Sequence, residues 1–374
     1  MMAIDIFECA NKVDLKRFVE FPYWLYRNNT YWVPPLKSDE LKALIVRYNP
    51  AYDFCEAKWW LAVCEGEVVG RIGAIVNHAH IKKVGEKIGR FSRFECINDM
   101  RVAQALLQTA ENWLKSKGMT KVEGPLGFSN LDHQGLLVDG FDFIPSIGSQ
   151  YHFSYYKSHL EKLGYQKAID WLEFRIFVKS VPDKAKRVAE VVEKRFGFKV
   201  VHFNSKSQMK LYATDIFKLL NEAYKDLFAV VHLSNKMTEY YINRYMSLLN
   251  PRFVKVVENK NKELIGFIIA IPSLSRALQK SKGKLFPFGW YYLMKALKNP
   301  KEVDLLLAAV DPKKQHTGAA SLLIHALQVE MHAQGVEAVE TTGVFETNEK
   351  ALKSWRAHDH IQHKRKRCWQ KELV

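Results

Sequence analysis

An internal repeat is the feature that most constrains the fold of this chain. Residues 68–75 align with residues 264–271, and the two runs share glycine, isoleucine, alanine and isoleucine at one constant offset. Each run follows a turn, at residues 65–67 in the first copy and 259–262 in the second. Apolar, β-branched residues flank both turns, which predicts two β-hairpins. Two copies of one architecture are the economical explanation.

A second match preserves the order of elements. Residues 118–123 align with residues 335–340, at a larger offset. We expect the extra residues of the second copy to include those at 273–300. An amphipathic helix precedes each matched run, with apolar residues three and four positions apart. In each copy the order is helix, hairpin, strand, amphipathic helix, strand, helix and final strand.

This order predicts the fold class, an α/β protein made of tandem folds. Each fold would be a mixed, mostly antiparallel sheet flanked by helices, with a central pair of splayed strands. A length of 374 residues suits two domains of ordinary size. We place them at residues 1–180 and 181–374, joined near residues 178–195.

Composition excludes several classes of protein. The chain is 48% apolar and 26% charged, as globular proteins are. No stretch approaches eighteen consecutive apolar residues, which argues against a transmembrane helix. Acidic residues near the amino terminus argue against an export signal. The five cysteines show no CxxC pairing and are interpreted as free thiols of a cytoplasmic protein.

The net charge of +16 leaves several partners open. Nucleic acid, an anionic membrane surface and a phosphate-bearing cofactor would all suit a basic protein. Part of the charge lies in the run at residues 363–367, His-Lys-Arg-Lys-Arg. A solvated strand edge explains that run equally well, so the charge alone does not decide the function.

The chemical signal of the second copy is a turn at residues 315–320. An apolar strand at residues 303–310 runs into Asp311-Pro312, which stops it. Gly318, followed by two alanines, lets backbone N–H groups at the start of the next helix face outward. Unsatisfied N–H groups and the helix dipole suit a pyrophosphate.

The turn resembles the acetyl-CoA motif of the GNAT superfamily of N-acetyltransferases. Gln315, Gly318 and Ala320 fill the three defining places of Gln/Arg-x-x-Gly-x-Gly/Ala after a strand. Asn348 and Ala351 match the family's Asn-x-x-Ala signature on the following helix. The resemblance implies an acetyl-CoA or other acyl-CoA site. Its residues would be Ala308, Val310, Gln315, His316, Thr317, Gly318, Ala319, Ala320, Asn348 and Trp355.

One departure from the family pattern concerns catalysis. The family often places a tyrosine, the proton donor to the departing thiolate, where this chain has Trp355. An indole N–H is a hydrogen-bond donor but not a usable acid near neutral pH. The usual proton source is therefore absent or supplied elsewhere.

The first copy departs further from the family pattern. Arg101 stands where Gly318 stands, and Asp99 at the helix start would cap the backbone with its own carboxylate. That carboxylate would repel a pyrophosphate, so one acyl-CoA site per chain is expected. Nearly the full chain resembles a group of uncharacterised bacterial tandem-GNAT proteins, on the runs at residues 124–129, 135–141 and 167–172.

Candidate catalytic groups are few. Glu340 and Glu346 lie on or just after the strand that borders the acceptor site in GNAT folds, where a glutamate can deprotonate an incoming ammonium. Solvent-facing glutamates are the alternative. His358, His360 and His363 lack a further fixed ligand and alternate in direction, so no metal site is expected.

Residues 276–298 of the second copy interleave aromatic residues and lysines. We expect a lid over the acceptor cleft or packing between the halves, and contact with an anionic membrane surface is the next alternative. The segment has no counterpart in the first copy.

The functional hypothesis is direct acyl transfer from acetyl-CoA, or another acyl-CoA, to a small-molecule or peptide amine. The first domain would shape the acceptor pocket. One alternative is an acyl-CoA-binding protein without transferase activity, which the absent tyrosine suggests. Another is a Fem-like transferase dependent on aminoacyl-tRNA, or an RNA-binding protein, which the charge and the tandem arrangement suggest.

Overall fold

The structure is a computed structural model, and it describes residues 3–179, 183–356 and 358–373. The first half contains the strands and helices that follow. Its strands are β1 (Asp5–Glu8), β2 (Cys55–Cys64), β3 (Glu67–Asn77), β4 (Ile88–Cys96), β5 (Lys121–Gly124), β6 (Leu136–Asp139) and β7 (Gln166–Phe177). Its helices are α1 (Lys12–Leu25), α2 (Lys37–Leu44), α3 (His78–Val84), α4 (Met100–Ser116) and α5 (Tyr155–Lys162).

The second half repeats this order with a longer insertion. Its strands are β8 (Lys199–His202), β9 (Val254–Glu258), β10 (Leu264–Pro272), β11 (Glu302–Val310), β12 (Ala338–Thr341), β13 (Val344–Phe345) and β14 (His360–Glu372). Its helices are α6 (Asp183–Phe196), α7 (Lys206–Tyr224), α8 (Asn235–Tyr245), α9 (Ser275–Ser281), α10 (Gly289–Lys298), α11 (Ala319–Ala333) and α12 (Glu349–Arg356).

The same strand pairings occur in both halves. The aligned runs form β3 and β10, and each pairs antiparallel with the strand before it in a hairpin. Each half also contains a parallel pair, β4 with β5 and β11 with β12. The fold class predicted from the sequence is confirmed, because both halves are mixed, mostly antiparallel sheets flanked by helices.

The amphipathic helices α4 and α11 lie on the sheet as their apolar spacing predicts. The buried residues of α4 include Ala103, Leu106, Leu107 and Ala110, and those of α11 include Leu323 and Leu327. Gly118 and Gly335 follow these helices with φ of 77° and 66°. Both are in the left-handed region, where glycine ends a helix without strain from a side chain.

The two halves form one continuous sheet because their final strands are exchanged. The strand order is β1-β2-β3-β4-β5-β14-β7-β12-β11-β10-β9-β8. The last strand of the second half, β14, pairs with β5 of the first, and the last strand of the first half, β7, pairs with β12 of the second. β7 and β14 also pair with each other, from His360 to Gln370.

The three largest apolar clusters of the described residues fill the layers around this sheet. One surrounds α4 and α5 of the first half, and another surrounds α6, α11 and α12 of the second. The third draws on both halves, joining Trp59 and Phe128 to Ile216, Tyr241 and Phe267. The halves are therefore held together by a shared core as well as by backbone hydrogen bonds.

The basic run at residues 363–367 is not the solvated strand edge that the sequence allowed. It lies in β14, between neighbouring strands, and His363, Lys364 and Lys366 are buried. Glu173 lies 3.4 Å from Lys364 and 3.1 Å from Lys366, between carboxylate oxygen and ammonium nitrogen. Part of the positive charge is therefore buried inside the protein and paired with acidic side chains.

The domain boundary proposed at residues 180 and 181 lies outside the described residues, and that division stays a prediction. The exchanged strands mean that any division of the chain there separates sequence halves that share one sheet. Among the described residues, none of the helices is both long enough and apolar enough to cross a membrane.

The exchange predicts that a core substitution in the last strand destabilises the first half. Trp369 of β14 is 1% exposed and belongs to the apolar cluster around α4. We expect Trp369→Ala to lower the free energy of unfolding by about 3–5 kcal/mol. Hydrogen exchange should show the loss of protection in β4 and β5.

A matched control is Val329→Ala, which shortens an exposed side chain of α11. It should leave both stability and exchange close to those of the wild type. Loss of protection confined to residues 183–356 in Trp369→Ala would contradict the exchanged arrangement.

Candidate active site

The parallel strands β11 and β12 separate at one end. Their pairing runs from Glu302 with Ala338 to Leu305 with Thr341. On the other side of β11, the register with β10 skips Leu306, which forms a β-bulge. The backbone of β11 is therefore released from both neighbours at Leu306, where the two parallel strands splay.

An apolar cavity opens at this splay. Its volume is about 240 Å³, slightly below the roughly 300–1,000 Å³ that small-ligand pockets usually have. Leu306 and Leu307 contribute from β11, and Thr342 and Gly343 from the segment after β12. Helices α7 and α8 supply most of the remaining wall. Their apolar lining residues include Met209, Ala213, Ile216, Leu220, Ile242 and Met246.

The first half closes the cavity from the opposite side. Residues 130–132, Gln134 and residues 147–148 line it. A Cβ atom built on Gly148 would lie 2.7 Å from Cγ2 of Thr342, so only glycine allows this close approach. The first half therefore forms one wall of the cavity, and its role in shaping an acceptor pocket stays a prediction.

The loop of the first half is held by a buried carboxylate below the cavity. The backbone N–H of Ile147 donates to Oδ2 of Asp304 at 3.1 Å, and Asp304 lies on β11, two residues before the bulge. Burial raises the pKa of Asp304 to about 7, and the backbone hydrogen bond only partly opposes this shift.

The turn at residues 315–320 follows the cavity along β11. Leu306 and Val310 are four residue steps apart on the strand, about 13 Å at the usual rise per residue. Pro312–Thr317 form a 3-10 helix, and Gly318 then adopts φ 87° ahead of α11. Ala319 is buried and Ala320 is exposed. Thr317 Oγ1 donates to Lys314 O at 2.6 Å.

The amino end of α11 is open to an anion. It has no side-chain cap and no acidic residue in its first turn. Lys313, Lys314 and His316 are exposed beside it. Val192 of α6 lies against Gly318, where a Cβ atom would come within 2.6 Å of Val192 Cγ2. The residues present therefore fit the pyrophosphate of a coenzyme A, with backbone N–H groups as donors.

Helix α12 is tied to this turn. Lys350 Nζ donates to Gln315 Oε1 at 2.9 Å, and Asn348 Oδ1 accepts from the N–H of Ala351 at 3.2 Å. Trp355 packs against the same apolar cluster as Val310, and its indole Nε1 is buried with no hydrogen-bond partner among the described residues. A donor left without a partner at this place fits a polar atom of a bound ligand.

The sequence-predicted residues fall into two groups. Those of the acyl-CoA motif lie together, on the end of β11, the turn, the start of α11 and the facing side of α12. Ala308 is joined to the cavity wall, because Tyr224 Oη donates to its carbonyl oxygen at 3.0 Å. Their role as cofactor ligands stays a prediction.

The two glutamates lie elsewhere. Glu340 is on β12, 2.7 Å from Arg175 and 2.7 Å from His363, and it does not line the cavity. Although burial acts to raise the pKa of Glu340, the bonded His363 and nearby Lys364 lower it below its ordinary value. Glu346 accepts from the N–H of Asp170 at 3.1 Å and pairs with Lys167 at 2.7 Å. The catalytic role predicted for both glutamates remains untested.

The structure also shows the contacts of the three histidines and of the first-half residues that correspond to the turn. His363 is bonded to Glu340, and His360 Nδ1 lies 2.7 Å from the carbonyl oxygen of His358. Within the described ranges, no group of three or more histidine, cysteine or acidic side chains could hold a metal ion. Asp99 caps α4 at 2.8 Å from the N–H of Arg101, as predicted.

Several residues of the cavity wall belong to none of the sequence motifs described above. They include Asp132, Tyr224 and Tyr241. A signal existed in the loop between β5 and α5, which is much longer than the corresponding segment between β12 and α12. Long connections at the end of a parallel strand pair are where binding residues usually lie.

Comparison with known proteins agrees with this description. The chain is similar to Protein YghO of Escherichia coli strain K12, at 29% identity over 347 residues that cover 90% of this chain and 87% of that protein. It is also similar to a bacterial ceramide synthase of Caulobacter vibrioides, at 27% identity over 328 residues that cover 86% of this chain and 84% of the other. No protein-family model matches the chain.

Among solved structures, the fold is similar to a tandem GNAT protein from the clavulanic acid biosynthesis pathway. The TM-score is 0.57 at 13% identity, and the match covers 100% of this chain and 99% of that protein. The resemblance to tandem GNAT proteins is thus confirmed for the fold.

The raised pKa of Asp304 predicts a pH-dependent stability. Between the unfolded value near 3.8 and the folded value of about 7, the folded state holds a proton that the unfolded state releases. Stability therefore falls as the pH rises through this range. We expect Asp304→Asn to be more stable than the wild type at pH 8, with an advantage about 2–3 kcal/mol larger than at pH 5.

Denaturant unfolding at the two pH values measures this difference. Asp215→Asn, a substitution on the exposed face of α7, serves as the control and should show the same advantage or deficit at both. An Asp304→Asn advantage that does not grow with pH would contradict the raised pKa.

Proposed function

We propose that this chain, which has the fold of tandem GNAT proteins, is an acyl-CoA-dependent N-acyltransferase for long-chain substrates. The observation that carries the proposal is the apolar cavity at the splay of β11 and β12, on the same strand as the open turn before α11. The second half would bind the acyl-CoA, and both halves would enclose the reacting groups.

The length of β11 between cavity and turn supports the placement of the coenzyme. A pyrophosphate at the amino end of α11 and a thioester at Leu306 would be joined by the extended pantetheine arm along β11. Backbone groups between the bulge and Val310 are free of β12, which diverges after Leu305. Their N–H groups are the donors proposed to polarise the thioester carbonyl.

The size and lining of the cavity favour an acyl chain longer than acetyl. An acetyl group would fill only part of the 240 Å³, and an apolar space gains free energy when hydrocarbon fills it. A ceramide is a long-chain amino alcohol acylated on nitrogen. The name of the Caulobacter relative, a ceramide synthase, therefore agrees with a hydrocarbon-filled cavity, and we propose the same class of acceptor here.

The coenzyme supplies an activated thioester, and the protein supplies position and an environment without water. Holding an amine at attack distance from the carbonyl accounts for much of the acceleration available to such an enzyme. Trp355 can donate a hydrogen bond but no proton. We propose that the departing thiolate is protonated by the nitrogen that attacks, and that no covalent enzyme intermediate forms.

The proposal predicts tight binding of a long-chain acyl-CoA that depends on the amino end of α11. Ala320 is exposed in the first turn, so Ala320→Glu adds a carboxylate without disturbing the core. We expect at least tenfold weaker binding of lauroyl-CoA by calorimetry, because the carboxylate repels the pyrophosphate. The melting temperature should not fall, since a glutamate in the first turn favours the helix dipole.

Two controls separate charge from shape. Ala320→Gln, of the same size as Ala320→Glu but without its charge, should lose less lauroyl-CoA affinity than Ala320→Glu does. Ala213→Phe, which fills the cavity from α7, should lose lauroyl-CoA before it loses acetyl-CoA. Release of coenzyme A thiol with sphinganine as acceptor then measures transfer. A wild-type protein that binds neither acyl-CoA would overturn the proposal.

A further inference from the structure

A polar pocket adjoins the apolar cavity. It lies at the end of the other parallel pair, β4 and β5, and α8 of the second half closes it. The two spaces share five lining residues, which are Leu131, Asp132, Ile147, Gly148 and Tyr245. The structure therefore contains a joined pair of compartments, one apolar and one polar.

The polar pocket is built from buried charged and hydrogen-bonding groups. Glu40 lies 3.3 Å from Arg93, between Oε2 and Nε, and is buried. Burial lowers the pKa of His133 to about 4 and that of His152 to about 3. Both imidazoles are therefore neutral near pH 7 and can accept or donate hydrogen bonds. His133 Nδ1 has no partner within the described part of the chain.

Asp132 stands at the junction of the two compartments. It is the one carboxylate that lines the apolar cavity among the described residues. Its Oδ2 accepts from the N–H of Ser129 at 3.1 Å, and its Oδ1 lies 3.5 Å from Tyr241 Oη. It forms no ion pair within 4 Å with any described residue, whereas Glu40, Glu95, Glu173 and Glu340 each do.

We infer that the polar pocket binds the head of a hydroxyl-bearing primary amine and that Asp132 is the catalytic base that receives its proton. This inference rests on the proposed function and assigns the acceptor half of the same site. A carboxylate with free lone pairs at the mouth of an apolar cavity suits an ammonium group. The neutral imidazoles and Gln150 suit hydroxyl groups beside it.

In the proposed transfer, the attacking nitrogen loses two protons. Asp132 takes one proton from the ammonium, and the freed amine attacks the thioester carbonyl. A carbon–nitrogen bond forms and the carbon–sulfur bond breaks. The nitrogen loses a second proton to the departing thiolate, which leaves as coenzyme A thiol, and Asp132 then releases its proton to water. No oxidant or reductant is needed.

The experiment compares Asp132→Asn with the wild type, using lauroyl-CoA and sphinganine. We expect kcat at pH 7.5 to fall at least 100-fold, within the usual range for loss of a general base. Lauroyl-CoA affinity should be unchanged, which also reports that the variant is folded. Activity should recover as the pH approaches about 10, where an alkyl amine arrives without its extra proton.

The charged and titratable groups around Asp132 are the same in both proteins, so their ionisation cancels in the comparison. They are Glu40, Cys55, Arg90, Arg93, Glu95, His133, His152, Tyr240, Tyr241, Arg244, Tyr245 and Lys366. A second measurement uses only the wild type. Hexadecylamine, which lacks the hydroxyl groups, should have a KM at least tenfold above that of sphinganine.

The outcomes separate this inference from the proposed function. Wild-type kcat in Asp132→Asn, a loss without alkaline recovery, or equal KM for the two amines would each overturn the inference while acyl transfer stands. A wild-type protein that transfers no acyl group to any amine would sink the proposed function instead.

The insertion in the second half, residues 273–300, has an outer face with exposed apolar side chains. Helices α9 and α10 and the loop between them expose Phe286, Phe288, Trp290, Tyr291 and Met294, with Phe286 78% exposed. Residues 273–300 contain Arg276 and five lysines and no acidic residue. The inner face packs on the first half, where Gln279 donates to the carbonyl oxygens of Thr30 and Trp32.

We propose that this outer face docks on an anionic lipid bilayer. Exposed aromatic side chains among lysines, with no acidic residue, match the apolar interface and negative charge of such a surface. Helices α9 and α10 also pack beside the cavity, because Ile147 lies both in the cavity wall and in the apolar cluster of these two helices. Docking would bring lipid chains to that wall.

Co-sedimentation with vesicles tests this surface. The wild type should bind phosphatidylglycerol-containing vesicles and bind pure phosphatidylcholine at least fivefold less. The triple variant Phe286→Ser, Phe288→Ser, Trp290→Ser should lose at least fivefold in the bound fraction. Leu211→Ser, which removes a 79% exposed leucine of α7, should bind as the wild type does. Equal binding by the triple variant, or a change only in its self-association, would overturn the proposal.

Discussion

The pairing of β7 with β14 runs from His360 to Gln370 and places the last strand of each half beside the opposite half. The joining of the two halves into one sheet depends on this exchange. Because β14 fills the space next to β5, the first half cannot complete its sheet without the end of the chain. Because β7 fills the space next to β12, the second half likewise depends on the first.

The exchange also explains the buried charges. Basic residues of β14 and acidic residues of β7 and β12 meet inside the sheet, as in Asp170 with Arg365 and Arg367. Removing charges from water is costly, and only close pairs with further hydrogen bonds offset that cost. These pairs tie β14 to both β7 and β12 inside the sheet.

The two halves differ at the amino ends of their equivalent helices, α4 and α11. The second half keeps an open helix end at Gly318, whereas the first half closes the equivalent end with Asp99. The first half also contributes the long loop after β5 and the polar pocket beside that loop. In the proposed function, the second half would hold the acyl-CoA and the first half would supply the acceptor side.

The sequence by itself determined the repeat, the order of elements, the hairpins and the turn at residues 315–320, because these depend on local periodicity and on residues close in the chain. It also indicated the cap at Asp99. It could not show that residues 363–367 are interior, since a basic run looks the same on a strand edge and between two acidic strands. Nor could it place Asp132 beside the splay of β11 and β12, which are distant in sequence. Only the tertiary structure decided these points, because the exchanged strands set which distant segments meet.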